Sequence, residues 1–189
     1  MNAFIVSTGI VALAEIGDKT QLLALVLAAR FRKPLPIIFG ILFATLANHA
    51  FAGAVGAWVT RVIGPEWLRW ILGLSFIAMA AWTLIPDKLD DGSTAKLRYG
   101  AFVTTLVSFF LVEMGDKTQV ATIVLAARYD SLAAVVMGTT LGMLIANVPA
   151  VLLGDVAARK LPVRAIHIAA ALLFAGLGIA VLTGLEIGL

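Results

Sequence analysis

Glutamate, glycine, aspartate, lysine, threonine and glutamine occur together twice in this chain of 189 residues, as Glu15-Ile16-Gly17-Asp18-Lys19-Thr20-Gln21 and as Glu113-Met114-Gly115-Asp116-Lys117-Thr118-Gln119. The second copy lies 98 positions after the first (113 − 15), and the match extends from Glu15–Phe31 to Glu113–Tyr129 with Val, Leu, Ala and Arg positions retained. A duplicated half-protein explains this better than chance. Each copy sets three ionisable side chains inside an apolar run. At mid-membrane depth such groups cost roughly 2.5–3.5 kcal/mol each even on the lenient insertion scale, so a sequence that repeats them is expected to use them.

On a regular helix Glu15 and Asp18 share a face, as do Glu113 and Asp116, and Gln21 and Gln119 continue those faces by one turn. Four carboxylates and two amide oxygens can then converge if the two motif helices meet. With no cysteine in the chain, an oxygen-rich cluster favours a hard divalent cation such as Ca²⁺, Mn²⁺ or Mg²⁺ over structural zinc. Lys19 and Lys117 reduce the formal charge of Glu15, Asp18, Glu113 and Asp116 from −4 to −2, which one divalent cation or two protons would balance. An empty, fully ionised cluster in low dielectric is costly, so some of its carboxylates are expected to hold protons when no metal is bound. Competition of metal and proton for the same oxygens is the minimal machinery of an antiporter. The plainer reading is that Lys19 and Lys117 neutralise the acids and clasp the two helices together; a single clasp would suffice for that.

Gly17 and Gly115 permit either close helix crossing or a local break that frees backbone carbonyls. Thr20 and Thr118 point away from the carboxylate face of an unbroken helix and become ligands only if that break occurs. Asn48 and Asn147 are mid-span candidates, equally well read as interhelical hydrogen-bonding groups. His49, aligned with Asn147, is read as structural, and His167, beside a basic loop, as interfacial.

The elements that must position these groups follow from composition. The chain is 61% hydrophobic and 13% charged, with a mean hydropathy of +1.03, which identifies an integral membrane protein. Its net charge of +3 sits largely in short loops, where it acts as a topology signal and not as a nucleic-acid surface. Ala12-Leu13-Ala14 imitates a signal-peptide cleavage site. Met1–Ser7 has no basic n-region and the apolar run resumes at Leu22, so an uncleaved first span is expected. Six spans are predicted, at about Phe4–Ala29, Leu35–Val59, Trp67–Ile85, Tyr99–Ala127, Leu132–Leu153 and Ala165–Leu185, each at least about 19 residues and adequate for a hydrocarbon core of about 30 Å. Residues 86–98 read as the linker between repeats 1–98 and 99–189 of one membrane domain.

Three spans per repeat turn the second half upside down, the inverted-repeat plan of many secondary transporters. Arg30, Arg32, Lys33, Lys88, Lys96, Arg98, Arg159, Lys160 and Arg164 flank one side, against Arg61, Arg69 and Arg128 on the other. This bias places the former set in the cytoplasm and both termini outside.

The twin Glu-x-Gly-Asp-Lys-Thr motifs, Glu15–Thr20 and Glu113–Thr118, in a six-span chain of this size resemble the small cation–proton exchanger family that includes Golgi manganese and calcium transporters and bacterial manganese exporters. The resemblance covers essentially the whole chain. It implies that Glu15, Asp18, Glu113 and Asp116 bind the transported cation, with Thr20 and Thr118 as participants. It further implies Mn²⁺ or Ca²⁺ as substrate, protons as counter-ion and no permanently bound cofactor. Lacking the targeting segments and long loops of eukaryotic members, the chain looks like a compact bacterial member in the cytoplasmic membrane; bacterial members rank Mn²⁺ above Ca²⁺. The expected partners are the metal ion, protons and lipid, with no nucleic acid; a homo-oligomer is left open. Export of Mn²⁺ in exchange for protons is the favoured reading. An intramembrane metal-dependent enzyme, a divalent-cation channel or a scaffold subunit held by Glu-Lys clasps are the rivals.

Overall fold

A computed structural model describes residues 3–85, 99–153 and 162–184, and every regular element among them is an α-helix. In chain order these are α1 (Ala3–Glu15), α2 (Lys19–Phe31), α3 (Pro34–Val62), α4 (Pro65–Thr83), α5 (Ala101–Glu113), α6 (Lys117–Arg128), α7 (Leu132–Leu153) and α8 (Val163–Thr183). The linker expected over 86–98 lies outside the described residues. Three helices, α3, α7 and α8, are individually long and apolar enough to cross a membrane. The first and fourth predicted spans are not continuous: α1 with α2, and α5 with α6, are short helices in series, parted at the two motifs.

The halves interlock. The pair α1 and α2 packs on α7, while α5 and α6 pack on α3, so each motif segment rests on the middle helix of the other half. Glycines permit the approach. A Cβ built on Gly40 would meet Thr105 and the Phe102 carbonyl, and one built on Gly138 would meet Ser7 and the Phe4 carbonyl. Gly40, Phe102 and Thr105 correspond to Gly138, Phe4 and Ser7 through the same 98-residue offset, so the two contacts are equivalent with the halves exchanged. Without a large hydrophobic driving force between helices in lipid, backbone-to-backbone packing of this kind supplies much of their association.

Two apolar clusters flank the motifs. Phe76, Met79 and Phe174 join α4 to α8 with Leu125 of α6, and Leu23, Leu27, Ile37, Ile41 and Phe109 join α2, α3 and α5. Large apolar residues such as Phe51, Trp67 and Leu172 remain exposed on the outside, as expected where lipid is the solvent. The polar groups of both motifs are largely inside, and large apolar side chains line much of the outside.

Gly138→Val would force α1 off α7, since its Cβ meets backbone and not a flexible side-chain end. The expected loss is about 1–3 kcal/mol, read as a fall of several degrees in the thermal unfolding midpoint in detergent. Gly176→Ala, in α8 where an added Cβ meets nothing within 4 Å among the described residues, should leave that midpoint unchanged or raise it.

Candidate metal centre

Both motifs break their helices at the glycine. Gly17 has φ +86° and Gly115 φ +81°, a region open to glycine and strained for side-chain-bearing residues. The chain therefore leaves the helix after Glu15 and after Glu113, and Asp18 and Asp116 start the next helices from an extended backbone, ψ 170° and 166°. Gln21 and Gln119 tie each break together: the Gly17 N–H donates to Gln21 Oε1 at 3.0 Å and the Gly115 N–H to Gln119 Oε1 at 2.7 Å. This reach-back from the third helical residue is close kin to a capping box. The expectation of one carboxylate face on a regular helix is thus corrected, because a helix containing a positive-φ residue cannot keep that register.

The break rotates each threonine toward its glutamate. Thr20 Oγ1 donates to Glu15 Oε2 at 2.5 Å, and Thr118 Oγ1 donates to Glu113 Oε2 at 2.9 Å. Across the halves the pairing is crosswise, with Lys19 Nζ 2.9 Å from Asp116 Oδ1 and Lys117 Nζ 2.9 Å from Asp18 Oδ1. Glu15, Glu113 and Asp116 each bring an oxygen into one region, all within 4.8 Å of one another and all buried. Glu15 Oε1, Glu113 Oε1 and Asp116 Oδ2 have no hydrogen-bond partner among the described residues. Buried carboxylate oxygens without a donor are costly unless a cation or a proton meets them. The donor set is all oxygen, which suits a hard divalent ion.

The structure gives other partners to the amides. Gln21 Nε2 donates to the Ala146 carbonyl at 2.9 Å, and Gln119 Nε2 donates to Asn48 Oδ1. Ala146 and Asn48 are themselves 98 residues apart, so one half uses a backbone oxygen where the other uses a side chain. Asn48 also donates to the Phe110 carbonyl at 3.4 Å. Asn147 donates to the Met143 carbonyl at 3.0 Å, and its Oδ1 has no hydrogen-bond partner among the described residues.

Sequence reasoning undervalues two histidines. His49, wholly buried, stands with Nε2 4.0 Å from Glu113 Oε2. His167 is not merely interfacial: its Nε2 lies 2.8 Å from the Ile16 carbonyl, inside the first break. The offset aligns His49 with Asn147 and His167 with Arg69, and neither match announces a site.

The family described as divalent cation/proton antiporter GDT1 matches residues 3–91 and 101–186. A Vibrio cholerae protein, provisionally named as a manganese exporter, is 53% identical over 175 residues, covering 92% of this chain and 87% of its own. A GDT1-like protein of Synechocystis is 29% identical, covering 92% of this chain and 93% of its own, and GDT1-like protein 5 of Arabidopsis thaliana is 26% identical, covering 95% and 94%. No solved structure matches.

The crosswise pairs have unequal surroundings: the Lys117 side chain is 1% exposed and that of Lys19 is 23% exposed. Lys117→Met should lower stability by about 3–5 kcal/mol, because it removes the cation beside the buried Asp18 carboxylate. Lys19→Met should cost less. Lys117→Met combined with Asp18→Asn should recover much of the loss in a double-mutant cycle of thermal unfolding; strict additivity of the two changes would mean that the pair is not coupled.

Proposed function

We propose, because this chain belongs to the GDT1 family of divalent cation/proton antiporters, that it exports Mn²⁺ from the bacterial cytoplasm in exchange for entering protons. The family is one of transporters and not of enzymes, which sets aside the intramembrane hydrolase. The observation that carries the reading is the meeting of Glu15, Glu113 and Asp116 oxygens within 4.8 Å at two helix breaks. Mn²⁺ is preferred over Ca²⁺ through the Vibrio cholerae relative and its name.

In this reading Asp116, held by Lys19, is the more constant ligand, and Asp18, held by Lys117, keeps the opposite half in register. Glu15 and Glu113 exchange metal for protons. Each has one oxygen fixed by a threonine hydroxyl and the other without a hydrogen-bond partner among the described residues, so a proton or a metal can occupy that oxygen without repacking the side chain. With both lysines charged, the four carboxylates leave a formal −2, matched by one divalent cation or by two protons, and not by both together. Binding of one then favours release of the other, which is the coupling that exchange needs. The backbone breaks contribute by turning the positive ends of α2 and α6 toward the acidic cluster.

The proposed frame has six spans, two of them broken, arranged as repeats 1–98 and 99–189 of opposite orientation. Its support is the equivalence of the Gly40 and Gly138 contacts and of the two crosswise ion pairs. Lys and Arg placement argues for termini outside, and an inverted repeat for a site that opens to one side at a time.

Reconstitution tests the whole reading. Purified protein in sealed vesicles containing a pH dye should move protons when a Mn²⁺ gradient is imposed, and should drive them against their own gradient, which a channel cannot do. Asp116→Asn and Glu113→Gln should insert normally and lower the Mn²⁺-dependent rate by on the order of 10–100-fold or more, the loss that even outer-shell changes bring to metal sites. Flux at the unaltered rate in Asp116→Asn would remove the site assignment, and a response to Ca²⁺ but not Mn²⁺ would change the substrate.

A further inference from the structure

The two breaks, so alike in sequence, are covered differently. At the first, the start of α8 closes over the unwound residues: Val163 occupies the space that a Cβ on Gly17 would need, and His167 Nε2 lies 2.8 Å from the Ile16 carbonyl. A backbone carbonyl only accepts, so the imidazole donates this bond. At the second break a Cβ on Gly115 would meet nothing within 4 Å among the described residues, and Met114 is 56% exposed.

The 98-residue offset names what is missing there. Val163 and His167 correspond to Pro65 and Arg69 at the start of α4, and Ile16 and Gly17 correspond to Met114 and Gly115. Pro65 and Arg69 do not cover the second break. They line a cavity with Arg128 and Tyr129, at the far end of α6 from Gly115, which at 1.5 Å per residue is on the order of 15–20 Å away.

Non-helical backbone at membrane depth is tolerated where protein covers it or where it lines water, and not against hydrocarbon. The first break meets this condition through α8. The described residues leave the second exposed, and it meets the condition if it faces an aqueous opening.

We propose that His167, with Val163, is the latch that shuts one side of the transport site by holding the Ile16 carbonyl, and that Met114–Gly115 is the mouth of the opposite, open side. In the alternate state Arg69 takes the Met114 carbonyl while His167 releases Ile16, so the starts of α4 and α8 exchange roles. His167 is thus a positioning residue for the exchange reaction and not a metal ligand. The consequence for transport rests on the antiporter reading above; the latch itself does not.

The chain has no cysteine, so single cysteines report cleanly. Ile16→Cys and Met114→Cys are placed separately in full-length protein in vesicles, and a membrane-impermeant maleimide is applied from each side. The Met114→Cys protein should label from one side only, and the Ile16→Cys protein at least about tenfold more slowly from either. Adding His167→Ala should speed labelling of the Ile16→Cys thiol and slow that of the Met114→Cys thiol, whereas His167→Gln, which keeps an N–H donor, should retain the original pattern. Equal labelling of the two single-cysteine proteins in the presence of His167 overturns the latch, and so does a His167→Ala pattern identical to the unaltered one. The first comparison leaves His167 in place, so misfolding of the alanine variant cannot spare the proposal. Labelling as expected in a protein that moves no Mn²⁺ would refute the transport function and leave the latch standing.

Discussion

Polar groups that lie far from water must be satisfied by one another, and the motif regions answer that requirement almost entirely with groups from the two motifs and the helices beside them. The crosswise pairs are the centre of the answer. Each lysine neutralises the aspartate of the other copy, at 2.9 Å in both cases. An ion pair within one motif would neutralise equally well and join nothing; the crossed arrangement makes neutralisation depend on the halves being correctly docked. Breaking a buried pair by removing one partner costs far more than the pair contributes over an apolar substitute, so this arrangement penalises misdocking heavily.

The rest of the local structure follows from placing a glycine inside each motif. A positive-φ glycine ends one helix and lets another begin, which leaves backbone N–H groups to be paired. The glutamines take the glycine N–H groups, and the threonines take one oxygen of each glutamate. Among the described residues, carboxylate oxygens on Glu15, Glu113 and Asp116 remain without a hydrogen-bond partner. The motif therefore uses its amides and hydroxyls to hold its own shape and leaves these acid oxygens without a hydrogen-bond donor. Close packing on α3 and α7 through Gly40 and Gly138 brings the two broken segments near enough for those acids to share one region. Both features expected of the pattern are present in the geometry: lysine and aspartate clasp, while oxygens of the glutamates and Asp116 converge.

Membrane class, helix positions and the identity of the acidic residues are legible in the chain because they depend on local properties. Apolar runs of sufficient length mark α3, α7 and α8 to within a few residues, and a heptapeptide pattern repeated at a fixed offset marks Glu15, Asp18, Glu113 and Asp116. Less legible are the roles within the pattern. Gln21 and Gln119 lie on the right face for ligands on an ideal helix, yet they serve the backbone, because a helix break creates donors that a continuous helix does not have. His167 reads as interfacial because a basic loop precedes it; its partner is a main-chain carbonyl 151 residues earlier, and main-chain groups carry no sequence signal.

The sequence by itself determined that charged groups would be carried into the membrane twice and that each set would sit beside a residue able to break a helix. Periodicity, hydropathy and duplication are properties of a string. Only the tertiary structure decided that the breaks form, that each lysine reaches across to the other motif, and that α8 covers the first break while α4 leaves the second uncovered. The last difference has a physical reason: two near-identical motifs have the same local preferences, so any asymmetry between them must come from how distant helices pack, and packing is a property of the whole molecule.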